Sequence, residues 1–460
     1  METNANSYLK RVLSLGLSPR VAWGVTALFL GLIIFTLSLH RTVWEPFFKA
    51  DFIVSPPVFV ISSDDWGSRE DSVEDLNRLA DVLRGFQDRY GHPAVVTAYM
   101  NPACPDVDRI AESGFQHYAW KFCYSDNPEL VDRWNALVAE GLFEIEFHGR
   151  EHINVPLFMD LLKTDAHGFR QAVLNKRIAW HCDSMWDSRL MEDPRFKYFY
   201  RSFIDASIDP PRALPRDRQI EIIQTGLQLM HEHFEVAPQV LTPPGYVWDL
   251  YIGQALRACG LEYLDAARMS IVGVTSNQGL EVRDFVLDWG SNPEGIQAII
   301  RTDVYEPTER VTPGQRIDLD DALWGVRRNL AAGSPVVLVS HCQHYIGPDQ
   351  SLKQSSLQGL RRLIQEVRIC RPKVAFLSAA DLGHYIYGRP ERARRQIPFQ
   401  LTRLSPAGKA FNVFRGLWLY SLKTRLALTG GMLMILWAML VSFIGLFRFY
   451  AGKPPDRETG

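Results

Sequence analysis

Short apolar runs alternate with longer stretches of helical periodicity through most of the chain. The first cycle is complete. It has an apolar run over 58–61, a segment over 68–90 whose apolar residues recur every three or four positions, and a second apolar run over 94–99. These spacings predict a strand, a helix and a strand, an order that implies parallel strand pairing.

The alternation continues to residue 390. Further strands are predicted over 142–147, 239–241, 262–265, 285–287, 296–300, 336–340 and 374–377, and further helices over 130–140, 156–176, 219–234, 250–259, 318–331 and 352–369. Strands and helices that alternate in this way indicate one parallel α/β domain over residues 56–390.

Polar residues follow four of the predicted strands. Asp64 and Asp65 follow the first, His148 follows the strand over 142–147, Thr242 opens a TPPGY turn, and His341 follows VVLVS. In parallel α/β folds the carboxyl ends of the strands meet at one edge, where functional sites gather. We therefore expect these residues to lie close together.

Asp64 and Asp65 place two like charges at the mouth of an apolar core, an arrangement that needs a cationic partner. His148 and His152 are four positions apart, so one helical turn would put both imidazoles on one face. The spacing alone also occurs by chance or in surface pairs. Two histidines and one aspartate with an open position are typical of a hydrolytic zinc site. The pattern therefore predicts a divalent metal, with Zn²⁺ favoured.

The order of the motifs resembles one known family. A strand-end Asp-Asp, H-x-x-x-H, a Pro-Pro turn, Asp-Trp and a strand that ends in histidine are, in that order, similar to the polysaccharide deacetylase family, which is grouped with the family-four carbohydrate esterases. The resemblance covers residues 56–390. It implies a distorted (β/α) barrel that uses a divalent metal to remove acetyl groups from an acetylated polysaccharide or oligosaccharide.

The resemblance also implies roles for individual residues. Asp64 matches the catalytic base, and Asp65, His148 and His152 match the metal ligands. His341 matches the histidine that protonates the leaving group.

Two further motifs have roles implied by the resemblance. Asp288 and Trp289, in DFVLDWG, resemble the motif whose acid tunes the catalytic histidine. The TPPGY turn resembles the family's R-P-P-Y motif, so a backbone N–H near Gly245 and Tyr246 is expected to bind the oxyanion.

Thr242 departs from the family pattern. It occupies the place of an arginine that holds the catalytic base, and Gly245 occupies the place of a tyrosine. A backbone donor survives such a change, whereas the guanidinium does not. Arg150, inside HGREH, is our hypothesis for a replacement in space.

Other polar and aromatic residues have more than one interpretation. His344 is a second acid, a substrate contact, or a solvated loop histidine. Trp66 and Trp289, beside the acids, either stack on sugar rings or pack in the core, whereas the aromatic cluster over 196–203 favours plain packing.

The charge balance limits the class of partner. The net charge is −2, so bulk electrostatics do not favour nucleic acid as a partner. The six cysteines form no C-x-x-C pair, which argues against a cysteine-bound metal. A disulfide such as Cys104 with Cys123 stays open.

Two uncharged apolar segments, 21–39 and 426–447, are each long enough to cross a bilayer. Both are predicted transmembrane helices, which makes the lipid bilayer a partner and the chain an integral membrane protein. Basic residues in the tails, 1–20 and 448–460, place both termini in the cytoplasm. The domain is then extracytoplasmic, on the periplasmic side, between a linker over 40–55 and a basic juxtamembrane connector over 391–425. The predicted fold class is a distorted (β/α) barrel of mostly parallel strands, flanked by one transmembrane helix at each end.

Two alternative functions stay open. A metal hydrolase on the same barrel could cut another glycan bond or a peptidoglycan amide bond. A membrane-tethered glycan-binding or assembly protein with a decayed site would explain Thr242 in place of the arginine. The complete set of Asp65, His148 and His152 argues against that second alternative.

Overall fold

The computed structural model describes residues 52–67, 71–175, 192–249, 252–267, 269–276, 279–290, 292, 295–308, 317–347 and 349–405. Over 269–276 and 279–286 the description concerns the backbone. Asp51–Arg403 forms one compact unit.

The unit alternates strands with helices along most of its length. The strands are β1 (Phe52–Ser55), β2 (Val58–Trp66), β3 (Val96–Met100), β4 (Ala103–Pro105), β5 (Trp120–Phe122), β6 (Phe143–Phe147), β7 (Ile204–Asp205), β8 (Arg212–Ala213), β9 (Val240–Leu241), β10 (Val247–Trp248), β11 (Tyr263–Ala267), β12 (Met269–Ser276), β13 (Gly279–Val286), β14 (Gln297–Arg301), β15 (Asp303–Val304), β16 (Val336–His341), β17 (Ala375–Phe376) and β18 (Gln400–Arg403). The α-helices are α1 (Val73–Arg84), α2 (Val107–Glu112), α3 (Pro128–Ala139), α4 (Val155–Thr164), α5 (Phe169–Leu174), α6 (Arg216–Phe234), α7 (Ile252–Ala258), α8 (Leu319–Ala332), α9 (Gln350–Cys370) and α10 (Ala379–Ile386). Short 3₁₀ helices occupy Ala166–Gly168, Pro194–Tyr198, Pro244–Tyr246, Cys342–His344 and Pro390–Arg392.

The central sheet forms a nearly closed barrel of parallel strands. Its strand order is β14-β11-β9-β6-β3-β2-β16-β15, with β17 paired to β2. β14 pairs with β11 at one edge and β15 pairs with β16 at the other, although only Thr302 separates β14 from β15. The Thr302 N–H donates to the Val337 carbonyl at 3.0 Å. One bent segment therefore joins the two edges of the sheet, and the carboxyl ends of the strands share one rim.

Local chemistry sets where the helices begin and end. α1 begins after Ser72, whose side chain accepts a hydrogen bond of 3.1 Å from the first helical turn. The helix predicted over 156–176 is divided into α4 and α5, because Asp165 and Gly168 adopt left-handed backbone angles, with φ of 49° and 72°. Periodicity locates the apolar face, but the left-handed residues set the break.

The segment after β17 covers the amino-terminal end of the barrel. The Ala379 N–H donates to Thr97 Oγ1 in β3 at 2.9 Å, and the Tyr387 hydroxyl donates to the Ala298 carbonyl in β14 at 2.9 Å. β18 then pairs antiparallel with β1. Because α10 and its neighbours occupy this end, a ligand site is expected at the opposite, carboxyl rim.

The aromatic cluster over 196–203 contributes to a second apolar core beside the barrel. Phe196 and Phe199 belong to the same buried cluster as Phe158 of α4 and Phe169 of α5. The Phe199 ring centre lies 6.0 Å from that of Phe169. These aromatic rings therefore pack in a core, as the sequence pattern favours.

The described cysteines form no disulfide with one another. Cys104 and Cys123, for which a disulfide stayed open, are both buried. Within the described residues, packing and hydrogen bonds hold the domain without a disulfide.

The membrane part of the predicted fold class is corrected by the structure. Across the described residues, no helix has both the length and the apolar composition needed to cross a bilayer. α9 has 21 residues, but it is amphipathic, with Arg361 and Arg362 exposed. The two flanking transmembrane helices and the integral-membrane localisation that depended on them are therefore not supported. The predicted spans over 21–39 and 426–447, with their tails, lie outside the described residues.

Candidate active site

A bulge in β2 brings Asp64 and Asp65 into one site. Adjacent residues of a regular strand point to opposite faces of the sheet. The register between β2 and β3 shifts between Ser63 and Trp66, so β2 contains an extra residue there. Asp65 has a φ of 68°, a left-handed conformation that aspartate tolerates better than most residues. Both carboxylates are buried, and the bulge lets both reach side chains at the rim.

Asp65, His148 and His152 form a group with metal-ligand geometry. Their candidate ligand atoms all lie within 4.8 Å of one another, and all three residues are buried. The Nε2 atoms of His148 and His152 lie 3.1 and 3.2 Å from Asp65 Oδ1. Gln343 Nε2 donates to the other carboxylate oxygen, Asp65 Oδ2, at 2.9 Å. Two histidines and one carboxylate are a donor set that suits a divalent metal.

The hydrogen bonds of His148 fit a cation at this point. Its Nδ1 lies 2.6 Å from the Thr242 carbonyl, which can only accept, so Nδ1 carries a proton. In the neutral ring, Nε2 then carries no proton, and its lone pair faces the Asp65 carboxylate. The distance from Nε2 to Asp65 Oδ1 is 3.1 Å. Two acceptors at that distance repel each other, and a divalent cation between them removes the repulsion. The residues present therefore fit a metal such as Zn²⁺.

The segment between the two histidines is a loop, not the helical turn that the four-residue spacing suggested. Gly149 has a φ of 91°, and the Arg150 carbonyl accepts a hydrogen bond from the Ala103 N–H at 2.9 Å. Asn101 Nδ2 donates to the His148 carbonyl at 2.7 Å. The loop is thus held by hydrogen bonds to the segment that follows β3, instead of by its own helical bonds.

Asp64 is held by Arg301, the last residue of β14. Arg301 Nη1 and Nη2 donate to Asp64 Oδ2 and Oδ1 at 2.6 and 2.7 Å, which makes a bidentate ion pair. Both side chains are buried. Burial alone would raise the pKa of Asp64, but the charge and hydrogen bonds of Arg301 bring that pKa below its usual value. Asp64 is therefore kept ionised, as a general base requires.

Arg301 is in turn fixed by several neighbours. It donates from Nε to Asp265 Oδ1 at 3.0 Å, from Nη2 to Thr242 Oγ1 at 2.9 Å, and from Nη1 to the Tyr246 hydroxyl at 2.6 Å. Its guanidinium carbon lies 5.3 Å from the ring centres of both Tyr99 and Tyr246. Thr242, in the place of the motif arginine, therefore contacts the arginine that holds the base.

Arg150 makes a different ion pair. Its Nε and Nη2 donate to the Glu151 carboxylate at 2.5 and 2.9 Å, and Nη1 donates to Thr225 Oγ1 at 3.2 Å. Its guanidinium carbon lies 5.2 Å from the Trp120 ring centre. The hypothesis that Arg150 replaces the motif arginine is therefore wrong, because Arg301 is the residue bonded to Asp64.

His341 is paired with Glu306. It ends β16, opposite Asp64 in the ladder with β2, and its Nδ1 lies 3.0 Å from Glu306 Oε1. Burial alone would lower the pKa of His341, but Glu306, together with the charges of Asp65 and Asp64, raises that pKa to about 9. A histidine that is protonated at neutral pH can donate a proton to a leaving group.

Asp288 lies in a turn with Asn292. The Asp288 N–H donates to Asn292 Oδ1 at 2.9 Å, and Asn292 Nδ2 donates to the Asp288 carbonyl at 2.6 Å. Among the described residues, the carboxylate at ion-pair distance from His341 is Glu306. The acid beside the histidine therefore comes from the segment after β15, not from the Asp-Trp motif.

The two tryptophans singled out as sugar contacts are packed in the domain. Trp66 is fully buried, donates from Nε1 to Ser63 Oγ at 3.0 Å, and packs edge-on against Trp134. Trp289 packs edge-on against Phe52 of β1, with ring centres 5.8 Å apart. Since Trp66 is fully buried, its indole has no face open to a sugar.

His344 is a buried residue, not a solvated loop histidine. Its Nδ1 lies 2.7 Å from Thr308 Oγ1. His344, His341 and Glu306 form a second group whose candidate ligand atoms lie within 4.8 Å of one another. His344 is therefore part of the surroundings of the proton donor.

Tyr200 and Arg201 border the metal-ligand group. The Tyr200 and His152 ring centres lie 5.8 Å apart. Asn154, two residues after His152, is fully buried, and its Nδ2 donates to the carbonyls of Arg201 and Ile204 at 2.9 and 2.7 Å. These contacts hold one end of an irregular segment against the site.

Gly245 and Tyr246 form the turn to which the resemblance assigns an oxyanion donor. Both have left-handed backbone angles, with φ of 60° and 56°. The Tyr246 N–H donates to the Pro243 carbonyl at 2.9 Å. A Cβ at position 245 would overlap the guanidinium of Arg201, so the glycine gives Arg201 room to lie on this turn.

The sequence motifs do not identify three residues of the site, which are Arg301, Asp265 and Glu306. They lie on or just after the barrel strands β14, β11 and β15. A charged residue after an apolar strand is the signal that singles out Asp64, and it would also identify Arg301 after the run over 296–300. The signal does not tell which opposite charges pair across the barrel.

The chain has similar solved structures, although no protein-family model and no curated protein matches it. It is similar to a candidate polysaccharide deacetylase from Mycobacterium smegmatis, with 14% identity, coverage of 76% of this chain and 94% of that chain, and a TM-score of 0.35. It is similar to a family 4 carbohydrate esterase from Streptomyces lividans, with 11% identity, coverage of 70% and 92%, and a TM-score of 0.33. It is also similar to a 4-alpha-glucanotransferase from Thermococcus litoralis, with 10% identity, coverage of 71% and 40%, and a TM-score of 0.36. Polysaccharide deacetylases and family 4 carbohydrate esterases are thus among its structural neighbours, at a similarity too low to give an independent argument about function.

Proposed function

We propose that this chain is a metal-dependent hydrolase that removes acetyl groups from an acetylated polysaccharide or oligosaccharide. The observation that carries the proposal is the convergence of Asp65, His148 and His152, whose candidate ligand atoms lie within 4.8 Å of one another. An ionised Asp64 and a protonated His341 are neighbours in the same pair of strands. A metal-ligand group, a base and an acid are the set that acyl hydrolysis needs.

Asp65, His148 and His152 would hold a divalent ion, which supplies Lewis acidity toward the acetyl carbonyl and toward water. Asp64, kept ionised by Arg301, accepts a proton from the attacking water. Asp64 is buried and fixed by two hydrogen bonds, so the proton acceptor is held in one orientation.

The remaining steps belong to the turn at Gly245 and to His341. A backbone N–H of that turn stabilises the oxyanion that forms on the acetyl group. His341 donates its proton to the departing amine or alcohol, and Glu306, at 3.0 Å from Nδ1, orients the ring. The pairing of Arg301 with Asp64 disfavours a decayed, purely glycan-binding site, since it supplies the guanidinium that Thr242 lacks.

Metal content and acetate release by the full chain test the proposal. The Zn²⁺-loaded chain should release acetate from N-acetylated chito-oligosaccharide or from O-acetylated xylo-oligosaccharide. Asp65→Ala should lose the bound ion and lower acetate release by about 100-fold or more. The matched control is His231→Ala, which removes an exposed histidine of α6 and should keep both properties. A tightly bound ion retained by Asp65→Ala would contradict the proposal. So would the absence of acetate release from both of these substrates and from an O-acetylated acidic oligosaccharide.

A further inference from the structure

Arg201 places a positive charge on the turn that borders the metal-ligand group. A Cβ at Gly245 would overlap Nη1, Cζ and Nε of Arg201, so the guanidinium covers the glycine backbone. The same turn begins at Thr242, whose carbonyl lies 2.6 Å from Nδ1 of His148. Arg201 is therefore close in space to the residues around the predicted metal and oxyanion sites.

The backbone of Arg201 is held in this position by Asn154. Asn154 is fully buried, its Nδ2 donates to the Arg201 carbonyl at 2.9 Å, and its own N–H donates to the Phe199 carbonyl at 2.5 Å. The neighbouring Tyr200 packs on His152. An arginine whose backbone is already fixed loses less conformational freedom on binding a ligand than a mobile surface arginine does.

Arg201 and Arg301 are suited to different tasks. Arg301 is buried, and it forms ion pairs with Asp64 and Asp265 at 2.6 and 3.0 Å. Arg201 is only partly buried, and its Nη1 donates a long hydrogen bond of 3.4 Å to the Tyr200 carbonyl. A guanidinium presents planar N–H donors that match the two oxygens of a carboxylate. Arg201 thus has the position and the chemistry of a ligand-binding cation.

We propose that Arg201 binds a carboxylate of the substrate, which makes the substrate class an acetylated acidic polysaccharide that contains uronic acid residues. This inference rests on the proposed deacetylase function and deepens it by naming the class of polymer. Arg201 is then a specificity-determining residue: it selects a charged polymer over a neutral polymer that carries the same acetyl ester.

Acetate release from two O-acetylated substrates tests the inference in the full, metal-loaded chain. O-acetylated oligogalacturonate carries carboxylates, whereas O-acetylated xylo-oligosaccharide is neutral. Arg201→Gln should raise KM for the charged substrate by about 10-fold or more, and much less for the neutral one, because a hydrogen bond between charged groups is lost. Arg201→Lys should recover part of the affinity, since it keeps the charge but not the planar fork.

The matched control is Lys197→Gln, which removes an exposed cation four positions earlier in the chain and should leave both KM values unchanged. An equal fall of kcat on both substrates in Arg201→Gln would overturn the inference, since it would assign Arg201 to the oxyanion. An unchanged ratio of the two KM values would also overturn it.

Binding of non-acetylated hexagalacturonate separates this inference from the proposed function, because it needs no turnover. The wild-type chain should bind hexagalacturonate, and Arg201→Gln should bind it about 10-fold more weakly or worse. That result supports the binding of a uronate carboxylate by Arg201 even if neither substrate releases acetate, an outcome that would count against the proposed function and not against this binding role. No binding by the wild type, or equal binding by Arg201→Gln, overturns it. Urea unfolding of Arg201→Gln and Arg201→Lys shows whether each variant keeps the fold.

Discussion

Arg301 controls the charge of the buried base. It is bonded to Asp64 and Asp265, both buried, so its removal leaves two carboxylates without this cation. Arg301→Met should lower the free energy of unfolding by about 3–5 kcal/mol and acetate release by about 100-fold or more. Urea unfolding and acetate assays check the two effects, and metal content should stay unchanged, because Arg301 is not one of the ligands.

Two other arginine variants serve as controls for Arg301→Met. Arg301→Lys keeps the charge but loses the bidentate geometry, so an intermediate loss of activity is expected. Arg150→Met breaks another buried arginine pair, with Glu151, and should destabilise the fold while it keeps kcat within about two-fold. An equal fall of kcat in Arg150→Met and Arg301→Met would show that the loss follows from general destabilisation.

Glu306 sets the pH range in which His341 carries its proton. The pKa of His341 is raised to about 9, against the effect of burial, chiefly by Glu306. Because His341 must be protonated to act as the acid, kcat/KM should fall as pH rises through about 9. Glu306→Gln removes the negative charge and lowers the pKa of His341, so the alkaline limb should move to lower pH by at least about one pH unit. A pH profile of kcat/KM measures the shift, and an alkaline limb that stays in place would exclude this role of Glu306.

At the scale of elements, Asn154 connects α4 to the rim segment, which we define as residues 199–206. Its Oδ1 accepts from the Leu157 N–H at 3.0 Å as the cap of α4, while its Nδ2 donates to two carbonyls of the rim segment. Asn154→Ala should lower the free energy of unfolding by about 2–3 kcal/mol, since it removes a cap and leaves buried carbonyls without a donor. Hydrogen exchange should accelerate at the amides of the rim segment.

Asn127→Ala is the matched control, because Asn127 caps α3 from an exposed position and accepts from the Leu130 N–H at 3.3 Å. It should cost about 1 kcal/mol and leave exchange in the rim segment unchanged. Equal exchange in the two variants would mean that Asn154 acts only as a helix cap.

The extent to which these elements follow from the sequence depends on the range of the contacts involved. Local periodicity predicts most strands and helices, because apolar faces must be buried. It identifies Asp65, His148 and His152 as candidates, since each lies near a predicted strand end. It does not predict the bulge in β2, whose left-handed Asp65 is stabilised by its surroundings. It also does not predict the pairing of Asp64 with Arg301, which are 237 positions apart.

At the scale of the whole barrel, the segment that joins the two edges of the sheet also carries two residues of the site. The bent segment that joins β14 to β15 closes the sheet through Thr302. Arg301 precedes this bend and pairs with Asp64, and Glu306 follows it and pairs with His341. The partners of both the base and the acid therefore lie on either side of one bend, where the two edges of the sheet meet. Since these pairings depend on the tertiary fold, motif order alone cannot identify them.

The amino-terminal end of the barrel links stability to pH through a buried carboxyl. Asp381, in the first turn of α10, is 1% exposed. Burial, and then the charge of Glu144, raise the pKa of Asp381 to about 7, although the backbone N–H of Arg394 and the charge of Arg395 oppose the shift. The ordinary value is 3.8, so the folded chain binds more protons than the unfolded chain between these two pH values. The stabilisation is therefore complete at low pH and is lost as pH rises through about 7.

Asp381→Asn removes this titration. In the wild type, Asp381 Oδ1 accepts a hydrogen bond of 2.6 Å from the Arg394 N–H, and the amide oxygen of asparagine can accept the same bond. Other acids have lowered pKa values and add an opposite slope, so the useful quantity is the difference between the two chains. From about pH 4 to pH 8, the wild type should lose up to about 4 kcal/mol of unfolding free energy relative to Asp381→Asn. Urea unfolding of both chains across this range measures that difference. Parallel pH curves would mean that Asp381 has the same proton affinity in the folded and unfolded chains, and that its burial at the end of the barrel is balanced by its neighbours.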